Sequence, residues 1–126
     1  MIEINTQKAP KALGAYSQAV TSGDFVFCSG QIGIDPDSGS LVSESVKEQA
    51  GQAMDNLDKV LEAAGVSRKQ VVKVEIYLVN MEDFHEVNEV YAEKFQSQPK
   101  PARITVGVAS LPKQALVEMT YTAYKG

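Results

Sequence analysis

A stripe of apolar residues at helical spacing, Val46, Ala50, Ala53, Leu57, Val60, Leu61 and Ala64, gives way after Gly65 to the run Val71-Val72-Lys73-Val74-Glu75-Ile76-Tyr77-Leu78-Val79. That second run alternates with the period of a strand. No other feature restricts the fold as tightly. A helix with one apolar stripe must bury it, and a strand carrying Val72, Val74, Ile76 and Leu78 on one face offers the surface that does so. Ser45 followed by Glu48 fits a capping box, and Gly65 supplies the left-handed residue that ends the helix.

The remaining elements arrange themselves around this pair. Ser22-Gly23-Asp24 separates Tyr16–Thr21 from Phe25–Ser29, which reads as an antiparallel hairpin, and Asp35-Pro36-Asp37-Ser38-Gly39 is a second turn cluster. After Asn80, a plausible N-cap, the stripe Phe84, Val87, Tyr91 and Phe95 marks a second helix that ends before Pro99 and Pro101. Two strands follow, Arg103–Val108 and Leu116–Tyr124, joined through Leu111-Pro112-Lys113. The order predicts an α/β (α+β) chain with a single mixed sheet and two helices on one face. The other face, with Val71, Tyr77 and Val79 beside polar residues, is too apolar for plain solvent, so a second copy of the chain is expected to cover it.

With 126 residues the sequence predicts one domain, 1–126, and nothing in it approaches the roughly 20 consecutive apolar residues of a membrane span. The start, Met1-Ile2-Glu3-Ile4-Asn5, shows no secretory pattern, so a cytoplasmic location is expected. A net charge of −4 with scattered Lys and Arg makes nucleic acid an improbable partner. The one cysteine, Cys28, sits in an apolar run and reads as a small hydrophobe. A single histidine, His85, excludes a multi-histidine metal cluster and leaves a serine triad only one conceivable base. No glycine-rich phosphate loop occurs.

What remains is polar residues on otherwise apolar strands. Alternation sends Arg103, Thr105 and Gly107 to one face and Ile104, Val106 and Val108 to the other, the apolar row being expected to face the helices. Glu118 lies on the polar side of the last strand with Thr120 and Thr122. Arg103 and Glu118 are thus expected to share a face. Spacing leaves two meanings open: a structural salt bridge at an interface, or a guanidinium fork that binds a substrate carboxylate beside a general base. Asn88 falls on the stripe of the second helix, where a packing or capping contact competes with a site role. Gly14-Ala15-Tyr16 and Ser29-Gly30-Gln31 each place a glycine beside hydroxyls near strand ends and, taken alone, read as turns.

Together, Ala9–Gly14 leading into Tyr16–Ala19, Ser29–Ile32, Asn80–Phe84, Val87–Tyr91, Pro101–Arg103 and Leu111–Lys113 with Val117–Glu118 resemble the Rid (reactive intermediate deaminase, YjgF-type) family, in the family's order. The resemblance implies a chorismate-mutase-like fold assembled as a homotrimer, its sheets forming a central β-barrel with sites in the clefts between subunits. It also implies hydrolysis of 2-imino acids and enamines such as 2-aminoacrylate to 2-keto acids and ammonia, without metal or organic cofactor. By position, Arg103 matches the carboxylate-binding arginine and Glu118 the glutamate that directs water. Tyr16, Ser29, Gly30 and Asn88 match residues around the ligand, and Thr105 stands where many members have cysteine. Two further departures are Ala15, where many have proline, and Gly107, where many have glutamate. The reading from a different class is a trimer that binds a keto acid for regulation without turning it over.

Overall fold

A computed structural model describes residues 1–126. Its strands are β1 (Ile2–Ile4), β2 (Ala19–Ser22), β3 (Phe25–Cys28), β4 (Gln31–Ile32), β5 (Val71–Leu78), β6 (Ala102–Gly107) and β7 (Val117–Tyr124). The helices are α1 (Val46–Ala63) and α2 (Phe84–Lys94). One mixed sheet runs β1-β2-β3-β7-β5-β6, with β4 pairing β7. Every pair is antiparallel except β5 and β6, whose parallel pairing is made possible by α2 as the crossover between them. No helix is long and apolar enough to cross a membrane.

The helix stripe read from the sequence is the core. Val46, Ala50, Leu57, Val60 and Leu61 are buried against Val74, Ile76, Leu78, Val117, Met119 and Tyr121 in a cluster of 23 residues, and Ala53 is buried beside it. Each fully buried Leu or Val side chain there stabilises the fold by about 1.5–3 kcal/mol. Ser45 Oγ accepts the Glu48 amide at 3.3 Å and Gly65 has φ 81°, as the sequence predicts, but the other half of the capping box is replaced: the Ser45 amide donates to Ser43 Oγ at 3.0 Å. α2 begins later than Asn80, because a 3-10 turn over Met81–Asp83 intervenes and the Asn80 side chain caps nothing.

The face assignment of β5 needs one correction. A bulge between Val71 and Lys73 shifts the register, so Val71 is buried while Val72 is 42% exposed. An extra residue on one strand reverses the faces of everything before it. Beyond the bulge, Val74, Ile76 and Leu78 face the helices as expected. The opposite face is open in the single chain and carries Phe25, Phe27, Ile104 and Tyr124, all at least 40% exposed. Phe25 stacks on Phe27 with ring centroids 6.1 Å apart and meets Tyr124 at a tilt with centroids 5.2 Å apart.

Two buried amides fasten the loop after β4 to α1. Asn56 Nδ2 donates to the carbonyls of Ile34 and Ile32 at 2.8 and 3.3 Å, and its Oδ1 accepts from Gln52 at 2.8 Å. Gln49 Nε2 donates to Ser43 O, while its Oε1 accepts the Leu116 amide at 2.8 Å. This anchoring fixes the approach of the chain to the end of β7 where Glu118 sits.

Candidate functional site

Arg103 lies on the helix side of the sheet, not away from it. In the parallel ladder Arg103 pairs with Val74 and Thr105 with Ile76, so both share the face of these core residues. The alternation within β6 is as read from the sequence, but the row facing the helices is the polar one. β6 is the edge strand, and what covers it is α2 through Phe84, Asn88 and Tyr91. Arg103 Nη1 donates to Asn88 Oδ1 at 2.7 Å, and the guanidinium lies over the rings of Tyr91 and Phe84. Ile104 is left 46% exposed on the open face.

Glu118 lies on that open face. It pairs across the ladder with Tyr77 and is flanked by Val117 and Met119, which are fully buried on the other side. Within one chain Arg103 and Glu118 are therefore on opposite faces of the sheet, and the shared face expected from alternation is not formed. Nor is the salt bridge: none of the chain's ion pairs uses Arg103 or Glu118. Arg103 is a half-buried cation whose only hydrogen-bonded side chain is a neutral amide.

Around Glu118 the chain builds a small pocket with Tyr16, Gly30, Lys11, Leu13, Ile32 and Pro112. Burial pushes the Glu118 carboxyl above its usual range. An acid so placed takes up a proton more readily than a surface glutamate, which suits a general base. Gly30 makes the arrangement possible: a Cβ there would lie 2.3 Å from Glu118 Oε2 and 2.9 Å from its Cδ. The glycine clears room for the carboxylate, a role its reading as a turn did not contain. Tyr16 closes the pocket, its hydroxyl accepting the Leu13 amide at 2.9 Å. Ser29 Oγ donates to Ser17 O at 2.5 Å and its amide to Gln18 O at 2.9 Å, which ties the loop carrying Gly30 to the one carrying Tyr16.

The predicted residues thus form two half-sites. Tyr16, Ser29, Gly30 and Glu118 gather at one; Asn88, Arg103 and Thr105 gather at the other. Asn88 is exposed and serves Arg103, where a packing contact was the competing expectation. Thr105 Oγ1 is buried and has no hydrogen-bond partner. Sequence reasoning missed Phe84 and Tyr91 as neighbours of Arg103, although their spacing with Asn88 on one helix face was the signal that could have found them. Cys28 is a buried core residue whose thiol is pushed up to about 12 by burial, and His85 is an exposed residue near Glu89 on α2. No group of three or more His, Cys, Asp or Glu is placed to hold a metal ion.

Fold and half-sites together define a class of small α+β proteins with an acid on the open sheet face and an arginine beneath a helix. The comparisons show the family and the fold. The family described as Endoribonuclease L-PSP matches residues 6–125, and the chain belongs to this family, the Rid/YjgF group that its motifs resemble. The human 2-iminobutanoate/2-iminopropanoate deaminase is 46% identical over 123 residues, covering 98% of this chain and 89% of that protein. Among solved structures, a putative endoribonuclease of Thermotoga maritima superposes with a TM-score of 0.95 at 44% identity, covering 100% of this chain and 98% of that one. E. coli TdcF with bound serine superposes with a TM-score of 0.94 at 35% identity, covering 100% of both chains.

Proposed function

We propose that the protein hydrolyses reactive 2-imino acids and their enamine tautomers, such as 2-aminoacrylate, to 2-keto acids and ammonia. The observation that carries the reading is Arg103, a half-buried guanidinium paired with no carboxylate of its own chain, held by Asn88 so that its remaining N–H edge is available to a ligand. A planar fork of this kind binds a carboxylate bidentately and in one orientation. The deaminase relative supports the chemistry, and the serine bound to TdcF is a small molecule of the same amino-acid frame.

A reaction that uses both Arg103 and Glu118 must draw them from different copies of the chain, since they face opposite ways. Assembly as a homotrimer, with the open faces lining a central β-barrel, would cover Phe27, Ile104 and Tyr124 and bring one copy's Glu118 to another's Arg103. In that cleft Arg103 holds the substrate carboxylate, with Asn88 and Thr105 beside it, while Tyr16, Ser29 and Gly30 shape the side that Glu118 serves. Glu118 accepts a proton from water as its oxygen bonds to the imine carbon, giving a tetrahedral carbinolamine. Glu118 then passes that proton to the nitrogen; as the carbon–nitrogen bond breaks and ammonia leaves, Glu118 takes the hydroxyl proton and the carbonyl forms. An iminium carbon is already electrophilic, so positioned water and one proton carrier suffice.

The test is release of ammonia and pyruvate when 2-aminoacrylate is generated in situ by a separate lyase. Acceleration over spontaneous hydrolysis, lost in Arg103→Ala, is the expected result. No acceleration, or an Arg103→Ala variant as active as the parent, contradicts the reading. Binding of the keto acid without turnover would favour a regulatory trimer instead.

A further inference from the structure

Arg103 sits on an edge strand, where a long flexible cation ordinarily samples many rotamers and gives up affinity each time it is ordered. The surroundings of this one are different. Phe84, Asn88 and Tyr91 follow one another at i, i+4 and i+7 along α2 and so form a single row on the helix. The Arg103 Cζ lies 4.7 Å from the centroid of the Tyr91 ring and 5.6 Å from that of Phe84, both inside the range for cation–π attraction. Asn88 Oδ1, between them on the row, takes a hydrogen bond from Nη1 at 2.7 Å. The two rings differ in placement: Tyr91 is 7% exposed and continues into the core against Phe95, whereas Phe84 is 38% exposed at the rim. The Tyr91 hydroxyl is buried and makes no hydrogen bond, so it is the ring that meets Arg103.

We propose that Phe84 and Tyr91 are positioning residues for Arg103, holding its guanidinium flat against an aromatic row so that the edge left free by Asn88 receives a carboxylate already aligned. The proposal deepens the deaminase reading and rests on its assignment of Arg103 as the carboxylate receptor. Rings beside the guanidinium, in that arrangement, do three things. They remove water from the faces without neutralising the charge, which an acidic neighbour would do. They restrict approach of an anion to the plane of the N–H donors, where bidentate geometry is available. They also lower the entropy lost when the ligand binds, because the side chain is ordered beforehand. Leucine at either position would keep apolar volume but supply no quadrupole, and it separates this role from simple packing.

The experiment measures binding of 2-oxobutanoate by calorimetry and, with the 2-aminoacrylate assay, KM and kcat separately. Phe84→Leu, at the rim, is expected to weaken binding and raise KM about three- to tenfold, with a smaller change in kcat. Phe84→Tyr, which restores a ring, brings binding back toward the parent. Tyr91→Leu should act in the same direction, and Tyr91→Phe should rescue it; if Tyr91→Leu fails to fold, the Phe84 pair decides alone. A second readout needs no ligand: ring currents shift the Arg103 Nε–H resonance upfield, and Phe84→Leu moves it back toward the random-coil position. Arg103→Ala tells the two failures apart. If that variant binds 2-oxobutanoate as the parent does, the carboxylate-receptor reading falls and the proposal with it. If it loses binding while Phe84→Leu leaves affinity and the resonance unchanged, the receptor stands and the aromatic positioning is overturned.

Discussion

Replacing Gly30 by alanine tests the geometry of Glu118 with a single methyl group. Gly30 has no left-handed φ, so alanine brings no backbone strain, and the atoms it would strike belong to the end of the flexible Glu118 side chain. An ideal Cβ falls 2.3 Å from Oε2, and ordinary contact requires about 1 Å more. The carboxylate must therefore swing away while the fold stays intact. Misplacing a reacting group by about 1 Å costs up to about a hundredfold in rate, so kcat for imine hydrolysis in Gly30→Ala should fall by about one to two orders of magnitude. Thermal unfolding of the variant should remain close to that of the parent. On a Glu118→Gln background the same alanine should change kcat little, because no base remains to be displaced, and this non-additivity marks the two residues as one device. Unchanged kcat in Gly30→Ala, or full additivity with Glu118→Gln, would refute the reasoning.

Burial holds the Glu118 carboxyl above its usual range, so the acid limb of the kcat profile should have its midpoint above that of an ordinary carboxylate, and Glu118→Gln should abolish this limb. The same shift has a consequence for stability. A folded-state value above the unfolded one means that the folded protein binds the proton more tightly, so the contribution of Glu118 is favourable at low pH and declines as pH rises through the folded value. Glu118→Gln should therefore raise stability at neutral pH, which urea unfolding at several pH values would measure. Asn56→Leu would leave the Ile34 carbonyl without a donor and the Ile32 carbonyl with the Ile34 amide alone, and denaturant unfolding should show a loss of about 1–3 kcal/mol.

Much of this molecule is legible in its sequence because local and global signals agree. α1 carries its cap, its stripe and its terminating glycine within one stretch, and β5 and β7 show alternation that burial confirms on β7 throughout and on β5 beyond the bulge. β1 is three residues on the outer edge of the sheet, too short to leave a periodic signal, and was not anticipated. The bulge at Val72 is a pairing event between β5 and β7, so nothing in β5 alone announces it.

Arg103 illustrates a deeper limit. Its partners along β6 were correctly grouped, but hydrophobicity assigned the apolar row to the helices, and that rule presumes that one face of every strand is dry and the other wet. Here the open face mixes apolar and polar residues, with Ile104 and Val106 across the ladder from Glu75 and Tyr77, while the edge of the helix layer lodges a guanidinium. Gly30 was legible as a turn but not as the space for Glu118, since that contact joins segments far apart in sequence. The motif resemblance found the residues of both half-sites; only the fold shows that they lie on opposite faces.

That opposition leads to the most direct measurement. Arg103→Ala and Glu118→Gln chains, each with only a small residual activity alone, are co-expressed or refolded together in equal amounts and assayed for release of pyruvate and ammonia from 2-aminoacrylate. If each site takes Arg103 from one copy and Glu118 from its neighbour, random assembly makes either contribution intact half the time, and about one quarter of parental activity per chain should return. Activity that stays at the level of the separate variants would contradict a site shared between copies.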